Sequence, residues 1–296
     1  MPVGLVLCFE RDRDRGVEFA ARLGWEARIV ERHRFPDGEL RLRLPPRLPA
    51  RAIVFAPLDQ PNEKLVELLL VAGGAREAGV GELGLVAPYL CYMRQDAAFN
   101  PGEVVSQPIV GAFLAQRFDV VVTVDPHLHR VASLEQAVPA RRVVALAAAA
   151  LIGEYIGSRV PESRRSRTLL VGPDEESRPW VQAAAARAGL AYVVCGKVRR
   201  GDTDVEVALP GVALAGRDAV LVDDMVSTGR TLAAAAALLR DAGAAAVDAA
   251  VTHALFVDDA DEVMRAGGIR EVWSTDSIAH PTNRIALAPL LAGAFV

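Results

Sequence analysis

The chain has 296 residues, 52% hydrophobic and 24% charged, with a formal charge of −4 at pH 7 and an isoelectric point near 5.8. That length allows two domains of about 150 residues with proper cores, and the mild acidity excludes a nucleic-acid grip through a broad basic face. The longest apolar run, VVALAAAALIG at 143–153, is far short of a bilayer span and no basic-then-apolar leader opens the sequence, so a cytoplasmic protein without membrane insertion is expected.

In chain order, the strand-like run GLVLCF (4–9) precedes the helical RGVEFAARLGW (15–25), and AIVFAPL (52–58) precedes NEKLVELLLVAGGAREAG (62–79). Between them RHRFPDGELRLRL (32–44) alternates polar and apolar residues around a Pro-Asp-Gly turn. ELGLVAPYL (82–90) then leads into a polar loop with Arg94, Gln95 and Asp96, where a cation, an amide and a carboxylate can meet a nucleotide. VVTVDPHLHR (121–130) is a β-branched strand ending at Asp125 and His127. Strand alternation would put His127 and His129 on one side, but no third histidine or cysteine follows at zinc-ligand spacing. Cys8, Cys91 and Cys195 are widely spaced in apolar surroundings and read as reduced core thiols.

The second half repeats the habit: TLLVGPD (168–174), helical RPWVQAAAARAG (178–189), AYVVCGKV (191–198), AVLVDDM (219–225), the alanine-rich helix RTLAAAAALLRDAG (230–243) and AVDAAVTHALF (246–256). Alternation of this kind predicts an α/β protein of parallel sheets flanked by helices, with sites at the strand C-terminal ends. The expected organisation is two tandem domains, 1–143 and 144–296. The densest chemistry lies in VLVDDMVSTGRT (220–231). A buried strand runs into Asp223 and Asp224, and Ser227, Thr228, Gly229 and Thr231 bring hydroxyls and bare backbone to a helix start, a combination that holds a phosphate without a lysine. Adjacent carboxylates beside a phosphate suit vicinal hydroxyls and a divalent cation. No GxxxxGK[ST] loop is present, since Gly196-Lys197 is followed by Val198.

That last loop resembles the ribose-phosphate loop of type I phosphoribosyltransferases. Together with FPDGE, PYLCYMRQD, TVDPH and VGPDEES in this order, it makes nearly the whole chain resemble the ribose-phosphate pyrophosphokinases, in part their archaeal-type members. The resemblance implies two type I phosphoribosyltransferase-like domains, an ATP side in the first and a ribose 5-phosphate loop in the second. It implies an enzyme that moves the β,γ-diphosphoryl group of ATP to ribose 5-phosphate with Mg2+. Phe35, Asp37 and Glu39 would hold adenine, reaching into a neighbouring subunit's site in a dimer-based homo-oligomer, and Arg94, Gln95 and Asp96 would complete ATP binding. His127 and Asp174 match positions that approach magnesium, Asp223, Asp224, Ser227, Thr228, Gly229 and Thr231 those that hold ribose 5-phosphate, and Lys197 and Arg199 the catalytic residues of a mobile flap over 197–204. Pro126, Arg230 and the pair Glu175 and Glu176 depart from the family pattern; the two glutamates are expected at a helix start facing solvent, where the helix dipole favours negative charge. Two other functions remain open at this point: a phosphoribosyltransferase acting on a base, and a non-catalytic regulatory paralogue of the synthetase.

Overall fold

Two six-stranded, wholly parallel sheets organise the chain, each with its own helices. The computed structural model describes residues 4–128, 130–199, 205–208 and 212–295. One unit comprises Met1–Leu146 with Leu287–Val296, and the other is Ala147–Ala286. The expected division at 143/144 would cut through a strand, and the segment from 287 onward, expected in the second domain, packs on the first.

The first unit runs β1 (Leu5–Cys8), α1 (Arg13–Leu23), β2 (Glu26–Ile29), β3 (Glu31–Arg34), β4 (Leu40–Arg43), β5 (Arg51–Phe55), α2 (Pro61–Glu77), β6 (Glu82–Ala87), α3 (Ser106–Ala115), β7 (Val120–Val124), α4 (Leu134–Ala137) and β8 (Arg142–Leu146). Its sheet has the order β2-β1-β5-β6-β7-β8, while β3 and β4 form a separate antiparallel ribbon. Leucines, valines and an isoleucine fill β1, β5, β6 and β7 because a parallel strand covered on both faces has no polar side to show. α1 ends where Gly24 takes a left-handed φ of 67°, and Pro61 opens α2, where a missing N–H costs nothing.

The second unit runs α5 (Ala149–Arg159), α6 (Glu162–Arg165), β9 (Thr168–Gly172), α7 (Arg178–Ala188), β10 (Ala191–Val194), β11 (Gly196–Arg199), β12 (Val205–Ala208), β13 (Asp218–Val226), α8 (Arg230–Asp241), β14 (Ala246–Ala254), α9 (Ala260–Ala266), β15 (Val272–Thr275) and β16 (Asn283–Ile285). The sheet order is β10-β9-β13-β14-β15-β16. Alternate residues of each strand go to opposite faces. Leu169, Val171, Leu221, Val247, Ala249 and Val251 pack with Leu232, Ala236 and Leu239 of α8, whereas Leu170, Val220, Val222 and Ala250 pack with Ile152 and Ile156 of α5 and Val181 and Ala184 of α7. Gly153 lets α5 lie against α7: a Cβ there would come within 2.9 Å of Ala184 Cα.

A last helix, α10 (Ala288–Gly293), returns to the first unit. Leu287 and Leu291 are buried, the Phe295 ring meets Phe19 of α1 at 5.9 Å, and Arg142 Nη2 donates to Ala294 O at 2.6 Å. Cys8, Cys91 and Cys195 are free and buried, as the sequence suggests. Burial pushes their thiols up to about 11, 12 and 11, so they stay protonated and unreactive. No described helix is long and apolar enough to cross a membrane.

Candidate active site

Both sheets reverse their winding direction once. In the second unit the chain goes from β9 outward to β10, then crosses to β13 on the other side of β9, so a crevice opens beyond the C-terminal ends of β9 and β13. Asp174 follows β9 and the 223–231 segment follows the β13 core, so the sheet itself brings these residues together. The strand is longer than AVLV implies. Asp223 and Asp224 lie within β13, which pairs with β14 as far as Val226 and Ala254. Ladder bonds to β14 outweigh the low strand propensity of aspartate there.

Asp224 is buried, 5% exposed, and its N–H is 3.0 Å from Asp223 Oδ1. Burial first, then the charge of Asp224 and also that of Asp174, push the Asp223 carboxyl well above the usual carboxylate range. Among the described residues, the charges that act on Asp223 are negative. Ser227, Thr228 and Gly229 turn the chain into α8, whose start at Gly229 has no side-chain cap, and backbone N–H groups at an uncapped helix start suit an anion. A second loop backs this turn: Val226 O accepts from the N–H groups of Leu255 and Phe256 at 3.0 and 3.2 Å, and Ser227 O accepts from Val257 N at 3.1 Å.

Gly229 is required twice over. Its φ is +72°, and a Cβ there would sit 2.8 Å from Met264 Cγ and 3.0 Å from Ala260 O of α9. Gly229→Ala is expected to cost about 1–3 kcal/mol, read as a lower urea midpoint with an unchanged slope. A wild-type midpoint would mean that the turn relaxes freely.

Asp174 has a structural duty beside any ligand role. Its Oδ1 accepts from Glu176 N at 3.0 Å and Ser177 N at 3.2 Å, closing a capping box at a short 3-10 turn before α7. Glu175 is exposed and pairs with Arg178 at 2.7 Å, in line with the expected solvent-facing helix start. Lys197 and Arg199, expected in a mobile loop, lie on β11, paired in register with Val207 and Val205 of β12. Residues 200–204 of the expected flap lie outside the described residues.

In the first unit, Phe35, Asp37 and Glu39 occupy the tip of the β3–β4 ribbon. Phe35 N donates to Glu39 O at 2.8 Å, Gly38 turns with φ +96°, and Asp37 Oδ1 accepts from Glu39 N at 3.1 Å. All three side chains are exposed, and the Phe35 ring stacks edge-on with His33. Arg94 is also exposed, in the loop after β6. Gln95 and Asp96 beside it have partners: Ser106 Oγ lies 3.1 Å from Gln95 Oε1, and Asp96 accepts from the N–H and Nη1 of Arg130 at 2.9 and 2.8 Å. Burial alone would push Asp96 up, but the Arg130 bonds outweigh it and hold the carboxyl below the usual carboxylate range. Arg130 is a residue the sequence does not single out; its only signal is its place directly after the VDPHLH run.

His127 is half-buried and belongs to the first unit, Asp174 to the second. The strand that would align His127 with His129 stops at Val124, where Asp125 turns the chain at φ +37°, and His129 lies outside the described residues. No group of three potential metal ligands converges among the described residues. All five described non-glycine residues with positive φ follow strands at their C-terminal ends: Gln60, Tyr92 and Asp125 after β5, β6 and β7, and Phe256 and Asp258 after β14. Strain collects at the site-bearing end of each sheet.

The two halves match separate family models, the N-terminal domain of ribose phosphate pyrophosphokinase over 6–117 and the phosphoribosyl transferase domain over 142–266. A solved phosphoribosylpyrophosphate synthetase from Mycobacterium smegmatis has the same fold, with a TM-score of 0.81 at 24% identity, covering 98% of this chain and 97% of that one. The ribose-phosphate pyrophosphokinase of Thermococcus kodakarensis is 33% identical across 88% of this chain and 90% of its own. That of Methanopyrus kandleri is 35% identical across 98% of both. With both domains matched in order and archaeal relatives aligned almost end to end, the chain belongs to the ribose-phosphate pyrophosphokinase family of enzymes.

Proposed function

We infer that the protein transfers the β,γ-diphosphoryl group of ATP to the 1-hydroxyl of ribose 5-phosphate, releasing AMP. The observation that carries this reading is the crevice between β9 and β13, where two adjacent carboxylates stand beside an uncapped helix start. Ser227, Thr228, Gly229 and Thr231 hold the 5-phosphate through hydroxyls and backbone N–H groups, and Asp223 and Asp224 meet the vicinal ring hydroxyls. The sugar's 1-hydroxyl then attacks the β-phosphorus in line, the bond from that phosphorus to the α,β-bridging oxygen breaks, and AMP carries away the electron pair while the hydroxyl gives up its proton to water. No side-chain nucleophile is used, so positioning and charge stabilisation by Lys197 and Arg199 supply the acceleration.

The chemistry of the donors suits a magnesium ion, because Asp174, Asp223 and the buried Asp224 offer hard carboxylate oxygens beside one another. Asp174 would approach the ion from the second unit, the family resemblance assigns His127 of the first unit to magnesium as well, directly or through water, and a bound ion would offset charge on the diphosphoryl group. Phe35, Asp37 and Glu39 hold adenine, and Arg94 with Gln95 completes the ATP site. Asp96 acts through Arg130, which it grips by two hydrogen bonds. The exposed ribbon tip suits insertion into a neighbouring subunit's site in a dimer-based homo-oligomer working in the cytoplasm.

Phosphorus NMR of the protein with ATP, Mg2+ and ribose 5-phosphate tests the reading. AMP appearing with a phosphoribosyl diphosphate signal supports it. Release of pyrophosphate only when phosphoribosyl diphosphate meets a nucleobase would replace it with a phosphoribosyltransferase, and silence in both assays with a regulatory paralogue.

A further inference from the structure

The ribbon of β3 and β4 is joined to the main sheet by no hydrogen-bonded strand, and two strands alone are marginal in water. β3 is exposed along its length. Beside the half-buried leucines of β4 that face α2, a charged cluster at its root holds its direction. Glu67, in the middle of α2, is 1% exposed and receives guanidinium groups from two different elements: Arg11, just after β1, at 2.9 Å to Oε1, and Arg32 of β3, whose Nε lies 2.6 Å from the same oxygen. A turn earlier on α2, Glu63 pairs with Arg32 as well and stands 3.7 Å from Arg34. Glu63 is well exposed and its pairs are screened by water, whereas the carboxylate of Glu67 is shielded, so its bonds count for more.

We propose that Glu67 is a positioning residue for the adenine site: by holding Arg32 against Arg11 it fixes the direction in which the ribbon presents Phe35, Asp37 and Glu39. The inference rests on the reading that the ribbon tip meets adenine. Without the carboxylate, two like charges face each other across the root, and the ribbon swings on its few remaining contacts with α2. The sheet, the crevice of the second unit and the residues acting on the diphosphoryl group are untouched, so the loss falls on ATP affinity.

The test is steady-state kinetics with melting curves on Glu67→Gln, Arg32→Gln, Arg11→Gln and Phe35→Ala. Glu67→Gln and Arg32→Gln are each expected to raise the KM for ATP on the order of tenfold, with kcat and the KM for ribose 5-phosphate within about twofold. The double variant of these two is expected to be no worse than either single one, because both remove the same link. Arg11→Gln, which removes the other anchor of the same carboxylate, is expected to raise the KM for ATP less than Arg32→Gln does, because the link from α2 to the ribbon itself remains. Should Glu67→Gln fail to fold, Arg32→Gln on the ribbon carries the test alone. A purely structural Glu67 would lower the melting temperature and disturb all kinetic constants together, which overturns the proposal. If Phe35→Ala raises the KM for ATP while Glu67→Gln and Arg32→Gln do not, the positioning role falls and the adenine reading stands. If Phe35→Ala has no effect either, both fall.

Discussion

Lys197→Ala is expected to slow turnover about 10²–10³-fold while the KM for ribose 5-phosphate changes by less than about twofold. In the proposed mechanism the sugar is held by the turn before α8 and the aspartates of β13, none of which Lys197 supplies. In that mechanism the lysine supplies positive charge where the departing AMP gains negative charge, an interaction that exists only in the transition state. Its loss therefore appears in kcat and in kcat/KM alike. Arg199 stands two residues on along β11, so Arg199→Ala should show the same pattern, and the double variant should cost less than the product of the two losses. AMP formation measured at saturating ATP decides the matter. Unchanged turnover in Lys197→Ala would remove the ribbon of β11 and β12 from the chemistry.

Asp223→Asn is expected to make the protein more stable and nearly inactive. The asparagine keeps the shape of the side chain but removes one of the carboxylates whose mutual repulsion, added to burial, raises Asp223. Because the native carboxyl titrates above its unfolded value near pH 4, the native state binds more protons between the two, and stability falls as pH rises through that window. The wild-type melting temperature, taken without metal, should therefore decline from about pH 4 upward more steeply than that of Asp223→Asn. At neutral pH the variant should be the more stable protein, and its turnover should drop about 10²-fold or more as the ring hydroxyls lose a carboxyl that the bound cation and sugar would ionise. Equal pH profiles for the two proteins would mean that Asp223 stays ionised in the native crevice. Adding Mg2+ with ribose 5-phosphate should stabilise the wild type more than the variant.

The sheets were legible because their information is local. Apolar runs such as VVVTV and LVLC, bounded by Gly and Pro, have the length of buried parallel strands, and the intervening helices carry their own stops. The turn before α8 was legible for the same reason, its donors all lying within a few consecutive residues. What escaped is non-local. That β13 continues through Asp223 and Asp224 depends on pairing with β14, and that AYVVCGKV breaks into β10 and β11 depends on where the main sheet ends. The attachment of Asp96 to Arg130 links positions 34 apart, and that of Arg11 to Glu67 positions 56 apart. The capping bond of Asp174 was within reach, since an aspartate three residues before a serine at a helix start has this signature.

The return of α10 to the first unit bears on how the chain folds as it is made. Residues 147–286 contain every strand and helix of their own unit, so they can close into a core as soon as they leave the ribosome. The unit that begins first cannot finish first: its α1 face, with Phe19, stays uncovered until Leu287, Leu291 and Phe295 are synthesised. For the whole time that the second unit is being translated, the first is an open structure with an apolar seam exposed, the natural client of a chaperone. A cut after Ala286 would make that open state permanent.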